Sequence, residues 1–270
     1  MIKAIVTDVD GTLLNSKGEI DPRTRAAIAK AHEKGYRYGL STGRELFAVK
    51  QSLQSWGLLS FCDFIVASNG AELTNLRTGK EERRFPLEGK TLVAIIEAYQ
   101  GSKAGLAIPE GGALYGPRRT LLLSLLAKKE KTPFRKRTAA QFRQESHPKI
   151  MVVATTKTLE RTKGTREKIL GENPMLSAVR SAPILLEFLD RRISKTEGLR
   201  LLGASLGISL EEMLCFGDAD NDLDMIRNAG IGVAMGNASP ALKATAKEIT
   251  ATNDENGIGV YLEQILLKKD

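Results

Sequence analysis

"IKAIVTDVDGT" occupies residues 2–12. Residues 2–7 form a short apolar-rich run that stops at two aspartates and an Asp-Gly pair. A run this short, closed by a turn signal, reads as a buried strand and not as a helix. It is also far too short for a signal peptide or a membrane helix. Asp8 and Asp10 therefore stand at the carboxyl end of a strand, with Gly11 and Thr12 beside them.

Working outward, "DPRTRAAIAKAHEKG" (21–35) predicts a helix, with Asp21 as N-cap, Pro22 at the first helical position and Gly35 past the end. Residues 36–41 read as a second strand, 44–57 as a second helix and 64–68 as a third strand. This alternation predicts a parallel sheet joined by right-handed crossovers. "AELTNLRTGKEERRF" (71–85) reads as a β-hairpin over a Thr-Gly turn. The same rhythm returns late in the chain. Helices are expected over 194–208, 222–230 and 239–246, and strands over 213–217, 231–235 and 248–252. Ser209 and Glu212 have the spacing of a capping box.

Between these halves the pattern changes. Helices are expected over 88–100, 119–129 and 159–171, and a strand over 149–155. Hairpins are expected over 104–116 and 176–190, the second broken by Ala182-Pro183. The expected organisation is thus α/β: a doubly wound parallel-sheet core from residues 1–82 and 188–270, with an α+β unit inserted over 83–187.

Charge separates the same segments. Residues 83–187 hold 20 basic and 9 acidic side chains and no aspartate, whereas the remainder holds 20 and 23. A basic insert attracts anions, of which a small anionic substrate is one kind. Aromatic residues make up only 5% of the chain and do not interleave with the basic clusters, so no nucleic-acid partner is expected. No membrane partner is expected either. Cys62 and Cys215 lie far apart in apolar contexts and read as reduced core thiols, which suits a cytoplasmic location. His32 and His147 are too few for a histidine-based zinc site.

In open parallel sheets, ligands bind beyond the carboxyl ends of the strands. There the sequence places Asp8, Asp10, Gly11 and Thr12, then Ser41, Thr42, Gly43 and Arg44, then Ser68, Asn69 and Gly70. "GDADNDLDMI" (217–226) follows the fourth strand and "GNAS" (236–239) the fifth, and Lys195 opens the helix after the insert. Hydroxyls, glycine amides, a lysine and several carboxylates at one edge describe a phosphate site with a divalent cation. An aspartate can attack phosphorus and carry it as an acyl phosphate. Mg²⁺ suits carboxylate and carbonyl oxygens beside a substrate phosphate. A second acid two residues after the nucleophile points to the same side of an extended segment, where it can serve as general acid and base. Taken alone, Asp8 and Asp10 also fit a simple Asp-Gly turn.

"GDADNDLDMI" first suggests a calcium loop, but Leu223 stands where the loop needs glycine and Ala229 where it needs glutamate. Asp218 and Asp222 lie one helical turn apart and form one pair. Asp220 and Asp224 form the other, facing solvent near the helix N-terminus.

"DVDGTLL", "STGR", "ISKTEGL", "GDADNDLDMI" and "GVAMGNA" resemble, in order, the motifs of the haloacid dehalogenase-like phosphatases. The likeness is to the Cof-type branch, whose type IIB cap interrupts a Rossmann-like core between the second and third motifs. It runs end to end. The resemblance implies Asp8 as nucleophile and metal ligand, and Asp10 as general acid/base with its backbone carbonyl on the metal. It implies Thr42 and Lys195 on the transferring phosphoryl group, with Gly43 donating its amide. It further implies Asp218 as a metal ligand, Asp222 supporting the metal or orienting Lys195, and Asn221 on phosphate or lysine. Arg44, Asn69 and Asn237 are candidates for substrate contact. Ser41 and Thr42 compete for the hydroxyl role, and Glu197 is placed to pair with Lys195. The cofactor implied is Mg²⁺. The substrate implied is a small phosphorylated metabolite, a sugar phosphate first and flavin mononucleotide or pyridoxal phosphate next. The chain is expected as a monomer or homodimer. Two rival activities share this pattern: a phosphomutase of the phosphomannomutase-like type, and a phospho-acceptor or regulatory module without turnover.

Overall fold

The computed structural model describes residues 1–266 and divides into two compact units, Met1–Glu82 with Ser194–Asp270, and Arg83–Ile193. The first contains strands β1 (Ala4–Thr7), β2 (Arg37–Ser41), β3 (Cys62–Ala67) and β4 (Glu72–Asn75). Strand β5 (Lys80–Arg83) ends at the division. The second unit contains β6 (Leu87–Glu88), β7 (Gly105–Glu110), β8 (Ala113–Gly116), β9 (Phe134–Lys136), β10 (Ser146–His147), β11 (Ile150–Val153), β12 (Leu176–Ala182) and β13 (Leu185–Asp190). Strands β14 (Met213–Gly217), β15 (Ile231–Ala234) and β16 (Glu248–Ile249) return to the first unit.

The first unit's sheet runs β16-β15-β14-β1-β2-β3-β4-β5. From β16 to β3 every neighbouring pair is parallel, and β4 turns back antiparallel on β3. β1, β14 and β3 are buried throughout, as strands covered on both faces must be. From β1 the chain winds one way to β2 and β3, and after the insert it winds the other way from β14 to β16. The β1/β14 boundary is therefore the topological switch point, where flanking loops diverge and leave a crevice. Flanking helices start where their caps dictate. Asp21 accepts the amide of Arg23 at the head of Pro22–Glu33, and the Ser194 hydroxyl caps Lys195–Leu206. The Ser209–Glu212 capping box is present on a single 3₁₀ turn, Leu210–Glu212. Cys62 and Cys215 are buried free thiols, and burial pushes the Cys62 thiol up to about 12.

The second unit is an α+β layer on a sheet ordered β12-β13-β11-β7-β8-β9. Alternation along β11 sorts its side chains. Ile150 and Val152 join Leu92, Ile95 and Ile96 of the helix Gly89–Ala98 in one core, while Met151 and Val153 join Leu123 and Leu126 of the helix Leu121–Lys129 in another. Glu187 pairs with Met151 in register and so shares the second face, where it meets the buried ammonium of Lys149. An ion pair with both side chains out of water is costly to break from one side. Lys149→Met is expected to lower stability by about 3–5 kcal/mol, and adding Glu187→Leu to recover much of that. Urea denaturation of the intact chain measures both, and a single-variant loss under about 1 kcal/mol would overturn the expectation.

Three sequence expectations change here. The return near residue 188 falls inside β13, and the second unit ends at Ile193 because the β12–β13 hairpin pairs through Asp190. The helix expected over 159–171 is two helices, Thr156–Arg161 and Lys163–Glu172. They divide at Thr162, whose hydroxyl bonds back to the carbonyls of Thr158 and Leu159. The strand expected over 248–252 shortens to Glu248–Ile249, a brief exposed edge. Among the described residues no helix is long and apolar enough to cross a membrane.

Candidate active site

Parallel pairing brings the carboxyl ends of β1, β2, β3, β14 and β15 to one edge of the first unit's sheet. Asp8 leaves β1 with its amide bonded to the carbonyl of Phe216, so the loop after β1 starts locked to β14. At the switch point Asp8, Asp218 and Asp222 each offer a carboxylate oxygen, all within 4.8 Å of one another. Lys195 Nζ lies between two of them, 2.5 Å from Asp8 Oδ1 and 2.5 Å from Asp222 Oδ1. The lysine is 2% exposed although it opens a helix, where a cation opposes the helix dipole. Its two carboxylate partners offset that conflict.

Burial alone would push the Lys195 ammonium down, but Asp222 and Asp8 outweigh it and hold the proton on. Burial raises the Asp8 carboxyl well above the usual carboxylate range against the pull of Lys195, with Asp222 and Asp218 adding to the rise. Burial, then the Asp222 charge, pushes the Asp218 carboxyl up to about 7. Three carboxylates share one lysine here, so their ionised forms repel one another, and a bound cation would favour those ionised forms.

Thr12 Oγ1 donates to Asp218 Oδ1 at 2.7 Å, and Gly11, at φ 84°, allows the approach, since a Cβ there would lie 2.4 Å from Asp218 Oδ2. Asp222 accepts the amides of Asp218 and Ala219 on Oδ2 while Oδ1 holds Lys195, so its carboxylate ties the loop to the lysine. Thr42 is buried and accepts the amide of Arg44 on Oγ1 at 3.1 Å. Ser41 Oγ is buried with no hydrogen-bond partner. Gly43 lies between Thr42 and Arg44 in the same turn.

The loop after β3 is built against this turn. Ser68 and Asn69 donate their amides to the carbonyls of Arg44 and Thr42. Ser68, Asn69 and Gly70 all have positive φ, and Gly70 packs so closely on Ser194 that a Cβ would lie 2.2 Å from its carbonyl oxygen. The lysine's helix and the loop after β3 thus fix each other.

One sequence expectation, the pairing of Glu197 with Lys195, is corrected by these contacts, and three candidate contact residues are found on protein partners. Asn221, expected on phosphate or lysine, donates its amide to Asn69 Oδ1 at 3.0 Å and bridges two loops. Glu197 pairs with Arg200, one turn on along the helix, and not with Lys195, which is buried on the other side. Asn237 is exposed and bridges Gly11 O and the Asn253 amide. Arg44 forks onto Asp10, with Nε to Oδ2 and Nη2 to Oδ1 both at 2.7 Å. Asp10's carboxylate lies outside the three-carboxylate cluster. Asp220 and Asp224 are exposed, the first on the Ser239 hydroxyl and the second on Arg227. Two contributors carried no assigned role. Thr12 was legible as a hydroxyl beside Asp-Gly. Glu72, a buried carboxylate holding the Ser68 hydroxyl and the Leu46 amide, carried no signal within its strand.

Fold and site together define a phosphoric monoester hydrolase built on a doubly wound core. The chain belongs to the haloacid dehalogenase-like hydrolases, whose family model matches residues 5–262. Its Cof-type character agrees with its relatives. YxeH of Bacillus subtilis is 31% identical over 100% of both chains. The 5-amino-6-(5-phospho-D-ribitylamino)uracil phosphatase YcsE of the same organism is 29% identical over 98% of this chain and 96% of its own. The crystal structure of a haloacid dehalogenase-like hydrolase from Bacteroides thetaiotaomicron, 29% identical, superposes with a TM-score of 0.87 over 98% of this chain and 100% of that one. Phosphatases of this family need a divalent metal, and the all-oxygen set of Asp8, Asp218 and Asp222 fits a hard cation.

Proposed function

We propose that the chain hydrolyses small phosphate monoesters with Mg²⁺ through an aspartyl phosphate on Asp8. The observation that carries the reading is Lys195, buried and bonded at 2.5 Å to both Asp8 and Asp222 beside Asp218. Lys195 neutralises Asp8 and marks where an incoming phosphoryl oxygen is received. Mg²⁺, held by Asp8, Asp218 and the Asp10 carbonyl, would supply charge neutralisation between nucleophile and phosphate. Asp8 attacks phosphorus while the Thr42 hydroxyl, the Gly43 amide and Lys195 hold the peripheral oxygens. Asp10 protonates the departing oxygen and then takes a proton from the water that hydrolyses the aspartyl phosphate. Asp222 acts by orienting Lys195 and the Asp218 loop.

The substrate class proposed is a phosphorylated sugar or polyol chain. YcsE, named for a phosphoribityl compound, supports that class. The inserted unit, with its excess of basic residues, is proposed to select among leaving groups. A panel of phosphate esters assayed with Mg²⁺ tests the reading. Phosphate release is expected, falling about 10²-fold or more on chelation and returning with Mg²⁺. An aspartyl phosphate that persists while no ester releases phosphate would overturn it in favour of a phospho-acceptor.

A further inference from the structure

Asp10 must present its carboxyl group to an oxygen it does not itself bind, and its side chain is 45% exposed. An exposed aspartate samples several rotamers, whereas proton transfer needs the donor within hydrogen-bond reach in one orientation. The neighbouring loop supplies that orientation. Arg44 engages both oxygens of Asp10, each at 2.7 Å, in the parallel fork that guanidinium and carboxylate geometry favour.

Arg44 is itself tightly placed. Its amide donates to Thr42 Oγ1, its carbonyl accepts the Ser68 amide at 2.7 Å, and its guanidinium lies 5.7 Å from the centre of the Trp56 ring. The fork therefore transmits the rigid geometry of the loops after β2 and β3 to a carboxylate on the loop after β1.

We infer that Arg44 is a positioning residue for Asp10 in proton transfer to the leaving group, and not a clamp on the substrate phosphate. The inference rests on the phosphatase reading above. In the first chemical step an Asp8 oxygen forms a bond to phosphorus. The ester P–O bond breaks with its electron pair moving to the leaving oxygen, and that oxygen takes the proton from Asp10. An alkyl alkoxide needs this proton, whereas p-nitrophenolate departs without it. kcat/KM reports steps only through that bond cleavage, so the comparison is free of the later attack by water.

Arg44→Ala is expected to lower kcat/KM for an alkyl phosphate such as glycerol phosphate at least about tenfold more than for p-nitrophenyl phosphate, a part of the usual general-acid contribution. Arg44→Lys should fall between, because an ammonium is a point charge and holds the carboxylate less specifically. In an Asp10→Asn background, Arg44→Ala should leave the ratio of the two esters unchanged. A urea denaturation curve for each variant reports whether the chain is folded, and in the Asp10→Asn background the two esters are compared by the first-turnover release of alcohol or p-nitrophenolate. Equal losses on both esters, with KM raised, would identify a phosphate clamp and overturn the inference, as would no loss on either. If Arg44→Ala abolishes both, the Arg44→Lys ratio decides by the same criterion. A wild-type chain inactive on both esters overturns the phosphatase reading and this inference with it.

Discussion

Asp8→Asn is expected to lower turnover of p-nitrophenyl phosphate by at least about 10⁴-fold, the scale seen when a nucleophile is removed from a cooperating set. The substitution keeps the shape of the side chain and replaces an anionic oxygen by an amide, which does not attack phosphorus. No aspartyl phosphate can form. The fold should tolerate the change well. Burial already disfavours the Asp8 charge, and Lys195 keeps Asp222 as a partner at 2.5 Å. Stability within about 1 kcal/mol of wild type is therefore expected, since the desolvation of one buried anion disappears together with its attraction to the lysine. Phosphate release and a denaturation curve on the same preparation separate the two effects. Full activity of the folded variant would sink the mechanism, and a large loss of stability would mean that Asp8 is chiefly structural.

The sheet edge was legible because period and punctuation are local properties. Strand runs ending in "DVDG", "STGR", "SNG" and "GDAD" place Asp8, Thr42, Asn69 and Asp218 at one edge once the strands are parallel, whatever the rotamers. Lys195 was legible for a different reason: a lysine at a helix start conflicts with the dipole and calls for a partner. Partners themselves were not legible. Asn221 meeting Asn69, Glu197 meeting Arg200 and Arg44 meeting Asp10 depend on where loops from separate strands converge, and on χ angles set by that convergence. Glu72 has no local signal at all, since its value lies in holding the amide of Leu46 at a helix start 26 residues away in sequence together with the hydroxyl of Ser68 in the strained loop. In the second unit two features were not legible. β9 is short and exposed at Arg135 and Lys136, so it lacks apolar alternation, and the division at Thr162 rests on a hydroxyl-to-carbonyl bond that composition does not display.

The four aspartates of "GDADNDLDMI" allow the sharpest test, because substitutions of one chemical kind should differ by orders of magnitude. Asp218→Ala is expected to reduce Mg²⁺-dependent kcat/KM by about 10²-fold or more and to raise the Mg²⁺ concentration needed for half activity. Its carboxylate stands in the three-carboxylate cluster, receives the Thr12 hydroxyl at 2.7 Å and is pushed up to about 7 by burial and by Asp222, as suits a group whose charge awaits a cation. Asp224 is exposed, and its ion pair with Arg227 joins two exposed side chains on one helical turn. Such pairs contribute about 0–1 kcal/mol, so Asp224→Ala should leave activity within about twofold of wild type. The comparison holds fold and net charge change constant: each variant removes one negative charge from the same ten-residue stretch. If field strength alone mattered, the two losses would be equal. If coordination matters, only the carboxylate beside Asp8 and Asp222 is costly to lose, and the Mg²⁺ dependence of its residual activity shifts as well.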